Sequence, residues 1–136
     1  MIRIYYDSKT GNVERFIQKV ALATGWMIQR VDASAPIEHP GHLVTFTTRF
    51  GEIPETTNQF LQKYSDFILS VSSSGNRNWG RNFGLAADQI ATKYNLPLLL
   101  KFELSGTTDD LHHFIESIEH HHYDNQRNRQ ELDFAQ

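Results

Sequence analysis

Apolar positions in this chain come in short blocks whose spacing switches between that of strands and that of helices. Ile2–Tyr6 is a β-prone apolar run that stops at Asp7-Ser8-Lys9-Thr10-Gly11-Asn12. Val13, Phe16, Ile17, Val20 and Ala21 then fall three and four apart, which predicts a helix ending near Gly25. Trp26–Val31 and Leu43–Thr47 read as strands, separated by an irregular stretch over Asp32–Gly41 with Pro36, Pro40 and Gly41. Pro54 opens a helix whose apolar face carries Phe60, Leu61 and Tyr64. Phe67–Val71 is a strand, Ser72–Asn82 a long polar loop, and Phe83–Tyr94 a helix through Ala86, Ala87, Ile90 and Ala91. Leu96–Leu104 is a strongly apolar strand with Pro97 at its start. The last helix carries Leu111, Phe114, Ile115 and Ile118, and the chain is polar from His120 onward, where fraying or disorder is expected.

Strands that alternate with helices predict an α/β fold: a doubly wound five-stranded parallel sheet covered on both faces, with right-handed crossovers. The connection between the second and third strands is trimmed, with about ten residues and no helical period, near the minimum for a parallel crossover. The expected order is 2-1-3-4-5. In such a sheet ligands bind beyond the carboxyl ends of the strands, where the order reverses, a rule framed on folds of this kind. The loops Asp7–Asn12, Thr48–Ile53 and Ser72–Asn82 would then meet at one crevice.

Composition narrows the chemistry. The 136 residues suffice for one domain, and 39% of them are hydrophobic, which excludes wholesale disorder. No apolar run approaches the ~20 residues that span a bilayer, and the first residues lack a secretory h-region, so a cytoplasmic protein with no membrane partner is expected. Cysteine is absent, which removes thiolate metal sites and cysteine nucleophiles. A net charge of -3 argues against nucleic acid as a partner. His120-His121-His122 does not read as a metal site, because adjacent helical residues do not face one another.

The loops themselves carry the candidate chemistry. Ser8, Lys9, Thr10, Gly11 and Asn12 place hydroxyls and a glycine before a helix N-terminus, an arrangement that favours phosphate. An ordinary Ser/Thr/Asn helix cap would explain the same residues without a ligand. Ser73, Ser74, Gly75 and Asn76 lead to Trp79 and Gly80, and a plain connector does not need the flat apolar face of a tryptophan. A Trp79 folded back on the core is the competing explanation. Thr47, Thr48, Arg49, Phe50 and Gly51 add a second aromatic. Two aromatics and many amides beside a phosphate site suit a planar heteroaromatic ring.

The segments Asp7–Val13, Thr47–Gly51, Ser74-Gly75-Asn76-Arg77-Asn78-Trp79-Gly80 and Phe102–Thr107 resemble the NrdI family, with the Ser-Gly-Asn-Arg-Asn-Trp-Gly run the most specific. The resemblance spans about residues 2–118. It implies a flavodoxin-like domain over residues 1–119 that binds FMN and assists class Ib ribonucleotide reductase. In that role reduced flavin reacts with dioxygen, and the oxidant serves the dimanganese–tyrosyl radical cofactor of the reductase small subunit. A further, unidentified reductant is implied as a partner. The resemblance assigns Ser8, Thr10, Gly11, Asn12 and Val13 to the phosphate, with Lys9 in the same loop. It sets Phe50 and Trp79 against the ring, backed by Phe83, and main chain at Arg49–Gly51 and Gly75–Asn76 at its polar edge. The chemistry is the flavin's, so no catalytic side chain and no metal ligand is expected.

Arg49 stands where the family pattern often has glycine, and arginine resists the positive φ that a flipping peptide there would need. The loops also hold Lys9, Arg49, Arg77 and Arg81 against Asp7 and Glu52, a cationic setting that would favour an anionic reduced flavin. A response-regulator receiver would need an aspartate where Phe46-Thr47-Thr48 stands. A simple flavodoxin-type electron carrier and a flavin-free binding module remain the alternatives.

Overall fold

The computed structural model describes residues 1–31, 36–48 and 50–135, with side chains described through residue 124. Five strands form one parallel sheet: β1 (Arg3–Tyr6), β2 (Met27–Arg30), β3 (Gly41–Phe46), β4 (Ile68–Gly75) and β5 (Leu98–Glu103). Their order is β2-β1-β3-β4-β5, the order expected for a doubly wound sheet of this kind. Between them run α1 (Asn12–Thr24), α2 (Glu55–Tyr64) and α3 (Leu85–Tyr94), and α4 (Thr108–Ala135) closes the chain.

The two-residue period of the strands divides the core. Ile4, Tyr6, Val44 and Phe102 face one side and meet Val13, Phe16, Ile17 and Val20 of α1 and Phe114 and Ile118 of α4. Phe16 stacks on Phe102 with centroids 4.1 Å apart and meets Phe114 edge-on at 5.4 Å. Tyr5, Leu43 and Val71 face the other side, against Phe60 and Leu61 of α2 and Ala87 and Ile90 of α3. Both layers are closed, so every strand end that bears a polar loop is held from two sides.

The trimmed connection between β2 and β3 is irregular over its described residues. Ile37 is buried there, and the Tyr5 hydroxyl donates to the His39 carbonyl, so the short crossover is pinned to the sheet. Gly41 is needed at its end, since a Cβ would fall 2.5 Å from the Tyr5 ring and 2.9 Å from the Arg3 carbonyl.

Two elements depart from the sequence expectations. β4 does not stop at Val71 but continues through Ser72, Ser73, Ser74 and Gly75, paired with β3 on one side and β5 on the other. A serine run has loop-like propensity, but in a central strand both ladders hold it, and small side chains fit between the layers. α4 likewise continues past the expected boundary at residue 119. No glycine or proline follows Thr107, so nothing in the sequence ends the helix there. His121 and His122 return to the body, with ring centroids 6.1 Å and 5.7 Å from that of buried His42, and a nitrogen of His121 lies 3.1 Å from the Leu69 carbonyl oxygen.

Candidate functional site

At the carboxyl edge of the sheet, the loops after β1, β3, β4 and β5 enclose a cleft of about 380 Å³. The loop after β1 forms its polar end. Asp7 is the last core position: its amide donates to the Val44 carbonyl, and its carboxylate accepts a hydrogen bond from Thr57 at 2.6 Å. Burial pushes the Asp7 carboxyl above the ordinary carboxylate range, against the Thr57 bond and the nearby charge of Arg30. Ser8 is buried, and its hydroxyl accepts from the Glu14 amide at 3.3 Å while its carbonyl accepts from the Arg30 guanidinium. Lys9 and Thr10 stand exposed at the rim. Gly11 precedes α1 with φ 94° and contributes no side-chain cap, so the first amides of the helix are left to other acceptors.

The loop after β3 is a tight turn. Thr48 receives the Gly51 amide on its carbonyl at 2.9 Å and the Glu52 amide on its hydroxyl at 3.0 Å. Gly51 has φ 81°, and Phe50 projects outward with 76% of its surface exposed. Arg49 lies outside the described residues. Beneath this turn Thr47 and Ser73 share a hydroxyl–hydroxyl bond of 2.9 Å, and the Ala86 amide donates to the Thr47 hydroxyl at 3.3 Å.

Beyond β4 the chain makes a short 3-10 turn over Arg77–Asn82, kinked at Gly80, with Asn76 accepting the Asn78 amide on its side chain. Trp79 comes from this turn to the cleft wall, half-buried. The Arg77 guanidinium lies over the Phe83 ring, 4.5 Å from its centroid. A Cβ on Gly75 would fall 2.8 Å from the Gly84 nitrogen, so only glycine allows the end of β4 to approach the start of α3 this closely.

Ser8, Lys9, Thr10, Asn12, Val13, Thr47, Thr48, Ser74, Gly75, Asn76 and Trp79 therefore meet at one cleft, as the loop pattern predicts. Ser73, Phe50, Gly51, Gly80, Phe83 and Gly11 do not line it. Ser73 and Phe83 sit behind the wall as braces. Two lining residues were not anticipated, Phe46 and Leu104. Leu104 holds a left-handed backbone, φ 53°, that costs a non-glycine residue about 1 kcal/mol or more. Its amide donates to the Gly75 carbonyl at 3.0 Å and its carbonyl accepts from the Ser74 hydroxyl at 2.8 Å, which hold it in place. A strand-end leucine gives no such signal in a sequence. Among the described lining residues Lys9 is the one charged side chain, while Asp7 turns its carboxyl to Thr57.

The NrdI flavodoxin-like family model matches residues 4–116. The chain belongs to that family. A Protein NrdI of Bacillus licheniformis is 44% identical over 119 residues, covering 88% of both chains. Another, from Macrococcus caseolyticus, is 43% identical over 125 residues, covering 90% of this chain and 94% of the relative. Among solved structures, a flavodoxin of Streptococcus pneumonia aligns with a TM-score of 0.63 at 20% identity over 87% of this chain and 94% of its own. A short-chain flavodoxin associated with a bacterial microcompartment gives 0.63 at 15% identity, over 87% and 93%. The NrdI relationship thus fixes the family, and the solved flavodoxins confirm the fold.

Membership of a flavodoxin-like family supports a flavin cofactor, and the cleft fits one. Its volume is that of a small-molecule site, its polar end offers hydroxyls, an amide and helix N–H groups, and Trp79, Phe46 and Leu104 supply apolar walls. Among the described residues, no helix is long and apolar enough to cross a membrane.

Proposed function

We propose that this chain binds FMN non-covalently in the cleft and, when reduced, supplies the oxidant that assembles the dimanganese–tyrosyl radical cofactor of a class Ib ribonucleotide reductase, in the cytoplasm. The observation that carries the reading is the joining of a phosphate-type loop, at Ser8–Val13, to a wall of Trp79, Phe46 and Leu104 in a chain of the NrdI family. FMN supplies one- and two-electron redox chemistry and reactivity towards dioxygen.

The residues of the chain bind and orient. Ser8, Thr10, Asn12 and the amides of Asn12 and Val13 hold the phosphate, Lys9 adds the one charge at that end, and Gly11 shapes the loop behind them. Trp79 gives the ring a flat face, and main chain at Thr48 and Gly75–Asn76 meets its polar edge. Phe50 and Gly51 belong to the turn that borders the ring edge, and Gly80 lets the Trp79 turn kink. Ser73 and Phe83 act from behind by fixing Thr47 and Arg77.

The partner is the reductase small subunit, and it covers the flavin edge, where exposed Phe50 and half-exposed Leu104 offer apolar surface. The purified protein should carry or take up a flavin with visible absorbance. Reduced protein, mixed with manganese-loaded small subunit and dioxygen, should then produce the tyrosyl radical by electron paramagnetic resonance. A simple electron carrier would give none, and a protein that takes up no flavin would be a binding module.

A further inference from the structure

Asn12 stands at the polar end of the cleft, where the loop after β1 faces the turn after β5. Its side-chain oxygen accepts two hydrogen bonds, from Arg15 Nη2 at 2.7 Å and from the Ser105 hydroxyl at 2.9 Å. Arg15 Nε in turn donates to the Ser105 hydroxyl at 3.1 Å. Three side chains, two of them far from Ser105 in the sequence, close a ring of three hydrogen bonds. The separations are 90 residues for Arg15 and 93 for Asn12.

The ring has a consequence for Asn12. A carboxamide oxygen has two lone pairs, and both are taken. What is left to face the cleft is the amide NH2, whose protein contact is a long 3.4 Å bond to the Thr10 hydroxyl. The same side chain turned over would present its oxygen, which repels an anion. Supporting geometry holds the ring on both sides. A Cβ on Gly11 would fall 2.7 Å from Arg15 Nη1, so glycine there lets the guanidinium lie against the loop. A Cβ on Gly106 would fall 2.8 Å from the Phe16 ring, so the turn bearing Ser105 is pressed onto the core.

We infer that Arg15, together with Ser105, is a positioning residue that locks the Asn12 amide with its NH2 towards the cleft, making the loop a donor for the terminal phosphate of the bound nucleotide. The inference rests on the FMN reading for its ligand. Arg15 is not a cleft-lining residue and acts through Asn12, whose orientation it sets.

The test compares FMN with riboflavin, which has the ring and lacks the phosphate. Arg15→Met should weaken FMN binding about tenfold and leave riboflavin binding unchanged, the loss expected for one well-placed hydrogen bond to a charged group. Ser105→Ala should act in the same direction with a smaller factor. In an Asn12→Ala background, Arg15→Met should cause no further loss, because the group it orients is gone. Unchanged FMN affinity in Arg15→Met, equal losses for FMN and riboflavin, or full additivity with Asn12→Ala would each overturn the inference. A ligand-free readout separates this from the flavin reading: the Asn12 side-chain amide resonances of the apoprotein should shift and broaden in Arg15→Met. If they do not, the lock is absent; if they do and the wild-type protein takes up no FMN, it is the flavin reading that fails.

Discussion

At the scale of single residues, position in the fold separates side chains that look alike in the sequence. Trp79 and Phe50 are both loop aromatics, yet Trp79 lines the cleft and Phe50 projects into solvent. Trp79→Ala should therefore weaken FMN about tenfold, an effect of the size of one lost ring stack, and Phe50→Ala far less, as read by fluorescence titration. Equal losses would restore Phe50 to the ring site. Asp7 makes a different kind of case. Burial raises its pKa in the fold above the unfolded value of 3.8, so its charged form is a burden on the native state at neutral pH. Asp7→Asn, which can still accept from Thr57, should raise the melting temperature at pH 7. That gain should shrink as the pH falls through the folded-state value and vanish below about 3.8, where wild-type Asp7 is protonated in both states. Leu104→Gly should relieve a left-handed backbone, raising stability by up to about 1 kcal/mol in denaturant unfolding while removing part of the apolar wall.

At the scale of elements, α4 is the instructive one. Its amphipathic half, with Phe114 and Ile118 buried, is legible in the sequence, but the polar residues after it are not read as packing residues. The structure returns His121 and His122 to the far end of the sheet, beside His42 and Leu69. Truncation after Glu119 should therefore lower the melting temperature rather than trim an inert tail. Unchanged stability in the truncated chain would instead support the expected domain boundary at residue 119. β4 teaches the converse. Ser72–Gly75 reads as loop because propensity is a local quantity, whereas a central strand is held by ladders to neighbours distant in sequence.

At the scale of the molecule, the two edges of the sheet behave differently towards acid. At the edge away from the cleft, His42 is fully buried, with its Nδ1 2.7 Å from the Ser70 hydroxyl. Burial first, then the neighbouring charges of His122 and His121, lower its pKa from 6.5 to about 3. The native state keeps His42 neutral while the unfolded chain takes a proton near 6.5. Its contribution to stability is thus full above about pH 6.5 and declines as the pH falls towards about 3, at up to about 1.4 kcal/mol per pH unit. His42→Gln should flatten that part of the stability profile, measured by urea unfolding at a series of pH values. A profile as steep as that of the wild type would assign the acid sensitivity elsewhere.

Much of this molecule is determined by the sequence alone. Strand and helix periods, with prolines and glycines between them, are local patterns, so they fix the parallel α/β class and the loops that carry the chemistry, while the strand order is a tertiary property. Residues such as Ser8, Thr10, Asn12 and Trp79 carry, by their chemical type, the proposed reading of a phosphate and a flat ring, and the Ser74–Gly80 run points to the family. Tertiary structure decides what depends on neighbours far along the chain. It brings Phe46 and Leu104 to the cleft wall, withdraws Ser73 and Phe83 behind it, and joins Arg15 to Ser105 around the Asn12 amide. Those are matters of direction and distance between separate loops, and a linear pattern holds no record of them until the sheet sets the loops side by side.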